Sequence, residues 1–264
     1  MTHPSESGHW YDRQGNPVYE VPSADGKKMV KPDIRHAKKL GLYPGTTTII
    51  REAAKPGLER WKTQQAILSA LTLPRLDGES LDSFAERALR DSGEQAKKAA
   101  ERGTNIHGAI QAHYEAQDYP DEYKIFVANT VLAIDLKYGE HSWWAEASFS
   151  HPLGFGGKTD LHAELGSPVV IDIKTKEFSE PVGKLAYDEH CIQLAAYREG
   201  LDLPKAICSN VFVSVNNPGL VHIHEWPEEE LQRGWRMFLA LHAHWVARTG
   251  YNPNDAAPAD KHKG

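Results

Sequence analysis

One run of six residues, Val169-Val170-Ile171-Asp172-Ile173-Lys174, constrains this chain most. Its composition is that of a β-strand, and such a strand should carry charges only where they are exposed or used. Strand side chains alternate, so Asp172 and Lys174 share one face while Ile171 and Ile173 turn into the core. On the strand expected before it, over residues 158–165, Asp160 shares a face with Lys158, His162 and Glu164. A hairpin pairing brings Asp160 beside Asp172.

The surrounding patterns give this strand its setting. Residues 143–150 alternate, Pro152-Leu153-Gly154-Phe155-Gly156-Gly157 supplies turn residues, and 158–165 alternates again, which reads as a hairpin. Gly166-Ser167-Pro168 makes a second turn. Ahead of the hairpin, Leu58, Trp61, Gln65 and Leu68 fall near one face of a helix over 58–71, behind Lys55-Pro56-Gly57. A helix over 80–117 is expected to break around Gly93 and Gly103, and another covers 121–137. Behind the charged strand follow a helix over 184–200, strands over 206–215 and 220–226, and a helix over 227–249. The order predicts an α/β chain of the α+β kind, a central mixed sheet flanked by helices. We read a single domain over 1–264, with helical cover over 41–140, a core over 141–249, and disordered ends at 1–8 and 252–264.

Composition narrows the class. The 264 residues are 40% hydrophobic and 25% charged, which is globular. No apolar run is long enough for a membrane span and the first residues lack a signal-peptide plan, so a cytoplasmic protein is expected. Two cysteines, Cys191 and Cys208, leave no disulfide framework and no four-cysteine metal site. The formal charge of -6 argues against a nucleic-acid partner only as an average. Residues 1–110 carry 17 basic and 14 acidic side chains, and the remainder carries 13 and 22. Lys27, Lys28, Lys31, Arg35, Lys38 and Lys39 are opposed within their segment by Asp33 alone, which makes either a phosphate-tracking patch or a solvated basic loop.

Two carboxylates on neighbouring strands repel, and a hard divalent cation, Mg2+ or Mn2+, relieves them at least cost. Such an ion stabilises charge on a phosphoryl group and acidifies a bound water, while an adjacent lysine orients that water. The implied reaction is phosphodiester hydrolysis. Alone, an Asp-x-Lys on an exposed strand face is more often a plain ion pair. Further residues lie in compatible places: His107 in a helical stretch, Glu146 in the strand over 143–150, and Gln193 and Tyr197 one helical turn apart. Each alone also reads as ordinary surface. Gly157-Lys158-Thr159 is not a phosphate loop, because Pro152 stands where its first glycine belongs. The pairs His222/His224 and His242/His244 lack a third ligand.

Taken in order, these motifs resemble the RecB-like branch of the PD-(D/E)XK nuclease superfamily. Gly103 through His107 matches its helical Gly-x-x-x-His, Glu146 its strand glutamate, and Gly157 through Asp160 its Gly-x-x-Asp. Asp172-Ile173-Lys174 matches its Asp-x-Lys, and Gln193 through Tyr197 its Gln-x-x-x-Tyr. Gly45-Thr46-Thr47-Thr48-Ile49-Ile50, with Lys55-Pro56 and Trp61 after it, looks like the opening of mitochondrial genome maintenance exonucleases and their phage relatives. The similarity runs from about Gly41 to Val246.

The resemblance implies a restriction-endonuclease-like core with N-terminal helical cover and a metal-dependent DNA exonuclease acting on single strands or free ends. Its setting would be DNA recombination, repair or phage DNA processing. It implies that His107, Asp160, Asp172 and the carbonyl of Ile173 ligate Mg2+ or Mn2+, with Glu146 near or in that shell. Lys174 would position or activate the water, and Gln193 and Tyr197 would support the site and contact the DNA strand. No iron-sulfur cluster and no nucleotide cofactor are expected. Two alternatives stay open: a flap- or junction-cutting endonuclease, and a catalytically silent DNA-binding module of the same fold.

Overall fold

The computed structural model describes residues 9–54 and 56–255. The chain opens with short strands β1 (Trp10–Tyr11), β2 (Pro17–Val18), β3 (Val21–Pro22) and β4 (Met29–Val30), then α1 (Ile34–Leu40), β5 (Tyr43–Pro44) and α2 (Thr46–Ile50). Helices α3 (Pro56–Thr72), α4 (Leu81–Tyr114) and α5 (Lys124–Tyr138) follow, with a 3-10 turn at Asp121–Tyr123. Next come β6 (Trp144–Ala145), β7 (Ser148–His151), β8 (Phe155–Lys158), β9 (Leu161–Ala163) and β10 (Val169–Lys176). Helix α6 (Asp188–Gly200), β11 (Ile207–Ser214), β12 (Val221–Glu225) and α7 (Glu228–Thr249) complete the order.

The central sheet is mixed, ordered β12-β11-β10-β9-β6, with β10 in the middle. β10 runs parallel to β11 along its whole length, from Val169↔Ile207 to Lys176↔Ser214, and antiparallel to β9. A central strand with both faces covered needs apolar residues on both sides, which is why Val169, Val170, Ile171 and Ile173 are all buried. On one face Val170 and Cys208 pack with Ile192 and Leu194 of α6 and Phe238 of α7. On the other, Ile171, Ile173 and Val211 pack with Ile106 and Ile110 of α4 and with Phe126 and Ile134 of α5. Helix α6 is buried without a break from His190 to Arg198, so it is an interior helix, not an amphipathic one.

Several expectations need correction. Helix α4 is continuous over 34 residues and does not break at Gly93 or Gly103. Gly103 is needed for proximity: a Cβ there would come within 2.5 Å of Thr175 Oγ1 on β10. The C-terminal half of α4 and all of α5 form a layer of the sheet's own core, so residues 41–140 are more than a cover. The strands expected over 143–150 and 158–165 each split in two, β6 and β9 joining the central sheet while β7 and β8 pair as a separate ribbon. The N-terminal strands and α1, capped by Asp33 and ended by Gly41 in the left-handed region, were not anticipated. Of the ends expected to be disordered, 1–8 and 256–264 lie outside the described residues, as does Lys55. Asn252–Asp255, by contrast, forms a tethered turn, with Arg13 donating to the Pro253 carbonyl at 3.2 Å and Asn254 donating to that of Pro152 at 2.8 Å. Among the described residues, no helix is long and apolar enough to cross a membrane.

Candidate active site

The site forms where the sheet splays. β9 stays beside β10 only as far as the pair Ile171↔Leu161, whereas β10 continues with β11 to Lys176. At the next position Asp160 stands opposite Asp172. Splaying leaves the Ile173 N–H without a strand partner, and Asp160 Oδ2 accepts it at 2.5 Å. The preceding hairpin keeps one register through the split. Trp144↔His162 and Ala145↔Leu161 lead into Ser148↔Lys158 and Phe149↔Gly157 with no residue inserted. Glu146 N–H to the Asp160 carbonyl, at 3.1 Å, and Thr159 N–H to that of Ala147, at 2.9 Å, bridge the gap. Glu146 therefore also faces Asp160, with its backbone in the left-handed region at φ 54. Glu146 and Asp160 lie just past the ends of β6 and β9, where the hairpin divides, and Asp172 lies beside them on β10, paired with Asn210 of β11.

Glycines make this corner possible. A Cβ at Gly157 would lie 2.5 Å from the Phe149 ring, and one at Gly156 would lie 2.6 Å from Tyr11. Both rings sit so close to the hairpin that they leave room only for backbone there. Thr46, from the Gly45–Ile50 motif, ties the same hairpin down by donating to the Gly156 carbonyl at 2.9 Å.

Asp172 is fully buried. Its Oδ1 accepts Lys174 Nζ at 2.8 Å and Gln193 Nε2 at 2.9 Å, and its Oδ2 accepts Asn210 Nδ2 at 2.7 Å. Asn210 is oriented in turn by Trp226, whose ring N–H donates to Asn210 Oδ1 at 2.7 Å. Burial pushes the Asp172 carboxyl up to about 6, Lys174 opposing the rise and the charge of Asp160 adding to it. Burial would raise Asp160 too, but His107, Lys174 and the Ile173 N–H together hold it below the usual carboxylate range. His107 Nε2 lies 3.2 Å from Asp160 Oδ2. Glu146 is raised by burial and is in contact with Lys158, the lysine of the rejected phosphate-loop motif.

These groups open onto a cavity of about 720 Å³. His107 and Gly103 of α4 line one wall, Lys174 and Ile173 the floor, Glu146, Lys158 and Asp160 the hairpin side, and the segment from Gln117 to Tyr123 the rim. The sequence-derived residues His107, Glu146, Asp160, Ile173 and Lys174 thus converge on one space, with Asp172 directly behind it. Gln193 and Tyr197 do not reach it. They are 5% and 1% exposed, so the expected contact with a DNA strand is corrected; Gln193 instead donates to Asp172 and, at 2.8 Å, to the Tyr197 hydroxyl. None of the six basic residues between Lys27 and Lys39 lines the cavity. Lys158 and Asn210 are the residues that sequence reasoning missed. The face shared by Lys158 and Asp160 was a signal for the first. The parallel register that brings Asn210 to Asp172 left none.

Two carboxylates, an imidazole and a peptide carbonyl make a donor set that suits a hard divalent cation. Among the described residues, however, no group of three or more His, Cys, Asp or Glu is arranged to hold a metal ion. His107 and Asp160 turn toward each other, while Asp172 is engaged by Lys174, Gln193 and Asn210.

No family model and no curated protein matches the chain. Among solved structures, it is similar to a Eubacterium rectale protein provisionally named an exonuclease, at 13% identity and a TM-score of 0.41, over 59% of this chain and 69% of that one. It is also similar to the protein SSO0001, at 16% identity and a TM-score of 0.28, over 60% of this chain and 86% of the other.

Proposed function

We propose that this chain is a divalent-cation-dependent deoxyribonuclease with a restriction-endonuclease-like core of the RecB-like PD-(D/E)XK kind, acting as an exonuclease on single-stranded DNA or free DNA ends. The observation that carries the reading is the convergence of Glu146, Asp160 and Asp172 where the hairpin divides beside β10, with Lys174 two residues further along β10 and Lys174, His107, Glu146 and Asp160 lining the same cavity. A fold spends stability to hold two aspartates buried side by side, and such groups concentrate where chemistry is done.

His107, Asp160, Asp172 and the Ile173 carbonyl would hold the ion. When bound, Mg2+ or Mn2+ supplies positive charge to the phosphoryl oxygens and acidifies a water. Lys174 Nζ, anchored on Asp172 Oδ1 and exposed to the cavity, donates to an incoming water and aligns its lone pair with phosphorus. Lys158, placed against Glu146, is positioned to donate to a non-bridging phosphate oxygen. Gln193 and Asn210 fix both oxygens of Asp172 from behind, so the carboxylate keeps one orientation. The exonuclease form of the proposal rests on the resemblance of the motif order to RecB-like exonucleases, with α4 lining one side of the cavity as helical cover.

The deciding experiment digests end-labelled linear and circular single-stranded DNA with Mg2+ or Mn2+, before and after chelation. Hydrolysis of the linear form alone, abolished by chelator and by Asp172→Ala or Lys174→Ala in variants with unchanged circular dichroism, is expected. Cutting of the circle would replace the exonuclease reading with an endonuclease. Full activity in either variant would overturn the site, and no hydrolysis by the wild type would leave the silent binding module.

A further inference from the structure

We infer that Trp144 is a stacking platform for a nucleobase next to the bond that is cut; this rests on the nuclease reading above and adds a specific substrate contact to it. Trp144 lies in β6, the outermost strand of the central sheet on the side of the site. Its side chain is 62% exposed, more than that of Trp61 on α3 at 41%, whereas Trp10 and Trp245 are 7% and 2% exposed and belong to the core. An indole left in water gives up on the order of 100 Å² of burial that would otherwise stabilise the fold. This one is also held in place. Trp144 pairs with His162 across the ladder, and the two rings are stacked at 17° with centroids 6.4 Å apart. His162 is itself 3% exposed and engaged by Glu164 at 3.3 Å. A ring set nearly parallel to a buried imidazole beside it and largely open to solvent is preorganised to receive a flat partner.

Its position gives the platform a meaning. Trp144 lies two residues before Glu146 and His162 two residues after Asp160, just where β6 and β9 end, so the pair is no more than about 7 Å of chain from those acidic residues. That distance is the reach of one nucleotide in an extended single strand. A strand whose phosphate lies at Asp160 and Lys174 can therefore lay an adjacent base on Trp144, and every base offers a π-face, so the contact grips without reading sequence. The arrangement selects single-stranded nucleic acid, because a base paired in a duplex has its faces already occupied by its stacking neighbours.

The test uses single-stranded oligonucleotides, intact or carrying one abasic nucleotide moved along the chain, with wild type, Trp144→Ala and Trp144→Phe. Binding is read in the Lys174→Ala background by fluorescence anisotropy and turnover in the active enzyme. Trp144→Ala is expected to weaken binding about 5- to 100-fold, the value of one base on an aromatic ring, and Trp144→Phe to recover most of it. One abasic position should weaken the wild type by the same factor and cost Trp144→Ala nothing more. Equal losses on every abasic substrate, or an inert Trp144→Ala, would overturn the platform. If wild type fails to hydrolyse DNA at all, the nuclease reading falls; if it hydrolyses and Trp144 is inert, only the platform does.

Discussion

Gln193 Nε2 donates to Asp172 Oδ1 at 2.9 Å from a helix buried along most of its length, so the aim of a carboxylate is set from inside the core. Outer groups of this kind typically affect metal affinity or activity by about 10- to 100-fold. Gln193→Ala should therefore lower kcat within that range with a far smaller change in KM, and Gln193→Glu, which sets a second carboxylate against Asp172, should be worse. Steady-state kinetics on a linear single strand checks both. An unchanged kcat would remove Gln193 from the site.

Lys158 and Glu146 form a largely buried pair whose two roles can be separated. Truncating one partner of such a pair leaves an uncompensated charge and costs about 3 kcal/mol. Lys158→Ala is expected to lower the melting temperature and to raise KM. A second change, Glu146→Leu with Lys158→Met, should restore the melting temperature but not the activity. Recovery of activity as well would show that Lys158 never meets the substrate.

Gly103 lets α4 approach β10 closely, and a side chain there would meet Thr175 Oγ1. Gly103→Ala is expected to destabilise the protein by about 1–3 kcal/mol by overpacking. Combined with Thr175→Ala, the loss should shrink by at least about 0.5 kcal/mol, the signature of contacting sites. Denaturant melts of the four members of the cycle measure it.

Acid should loosen the far side of the molecule. Burial holds His151 and His242 below the ordinary histidine range of 6.5, and both pack around Phe155. In the unfolded chain these rings protonate as pH falls through about 6.5, while in the folded protein they resist. Their contribution to stability is therefore whole above that pH and declines below it. Urea midpoints between pH 7.5 and 5 should fall for the wild type and fall less for His242→Gln. Parallel curves for the two would exclude His242 as a source.

The local pieces of the site were legible because they are short and strongly patterned. Val169–Lys174 reads as a strand from composition alone, and its alternation puts Asp172 and Lys174 on one face. Gly103 and His107 share a helical motif, and Asp160 follows from the hairpin. What stayed hidden depends on partners distant in sequence. Asn210 joins Asp172 through a parallel pairing that no local spacing encodes. Gln193 and Tyr197 look like surface residues of a helix until that helix is laid on β10 and the hairpin, where Gln193 meets Asp172 and Tyr197 meets Phe149. The continuity of α4 through Gly103 is likewise a tertiary outcome, since glycine weakens an isolated helix but there permits the close contact with β10.

The unbroken register from Trp144↔His162 to His151↔Phe155 makes the hairpin a frame-keeper as well as a wall. Because strand side chains change face at every residue, adding or deleting one residue between 145 and 150, or between 156 and 161, would carry Glu146 or Asp160 out of line with Asp172. The tip at 152–154 lies outside the paired stretch and can change length without moving either. Length variation in this protein should therefore be tolerated at the tip and selected against on the arms, a pattern that insertion scanning would reveal without any assay of binding.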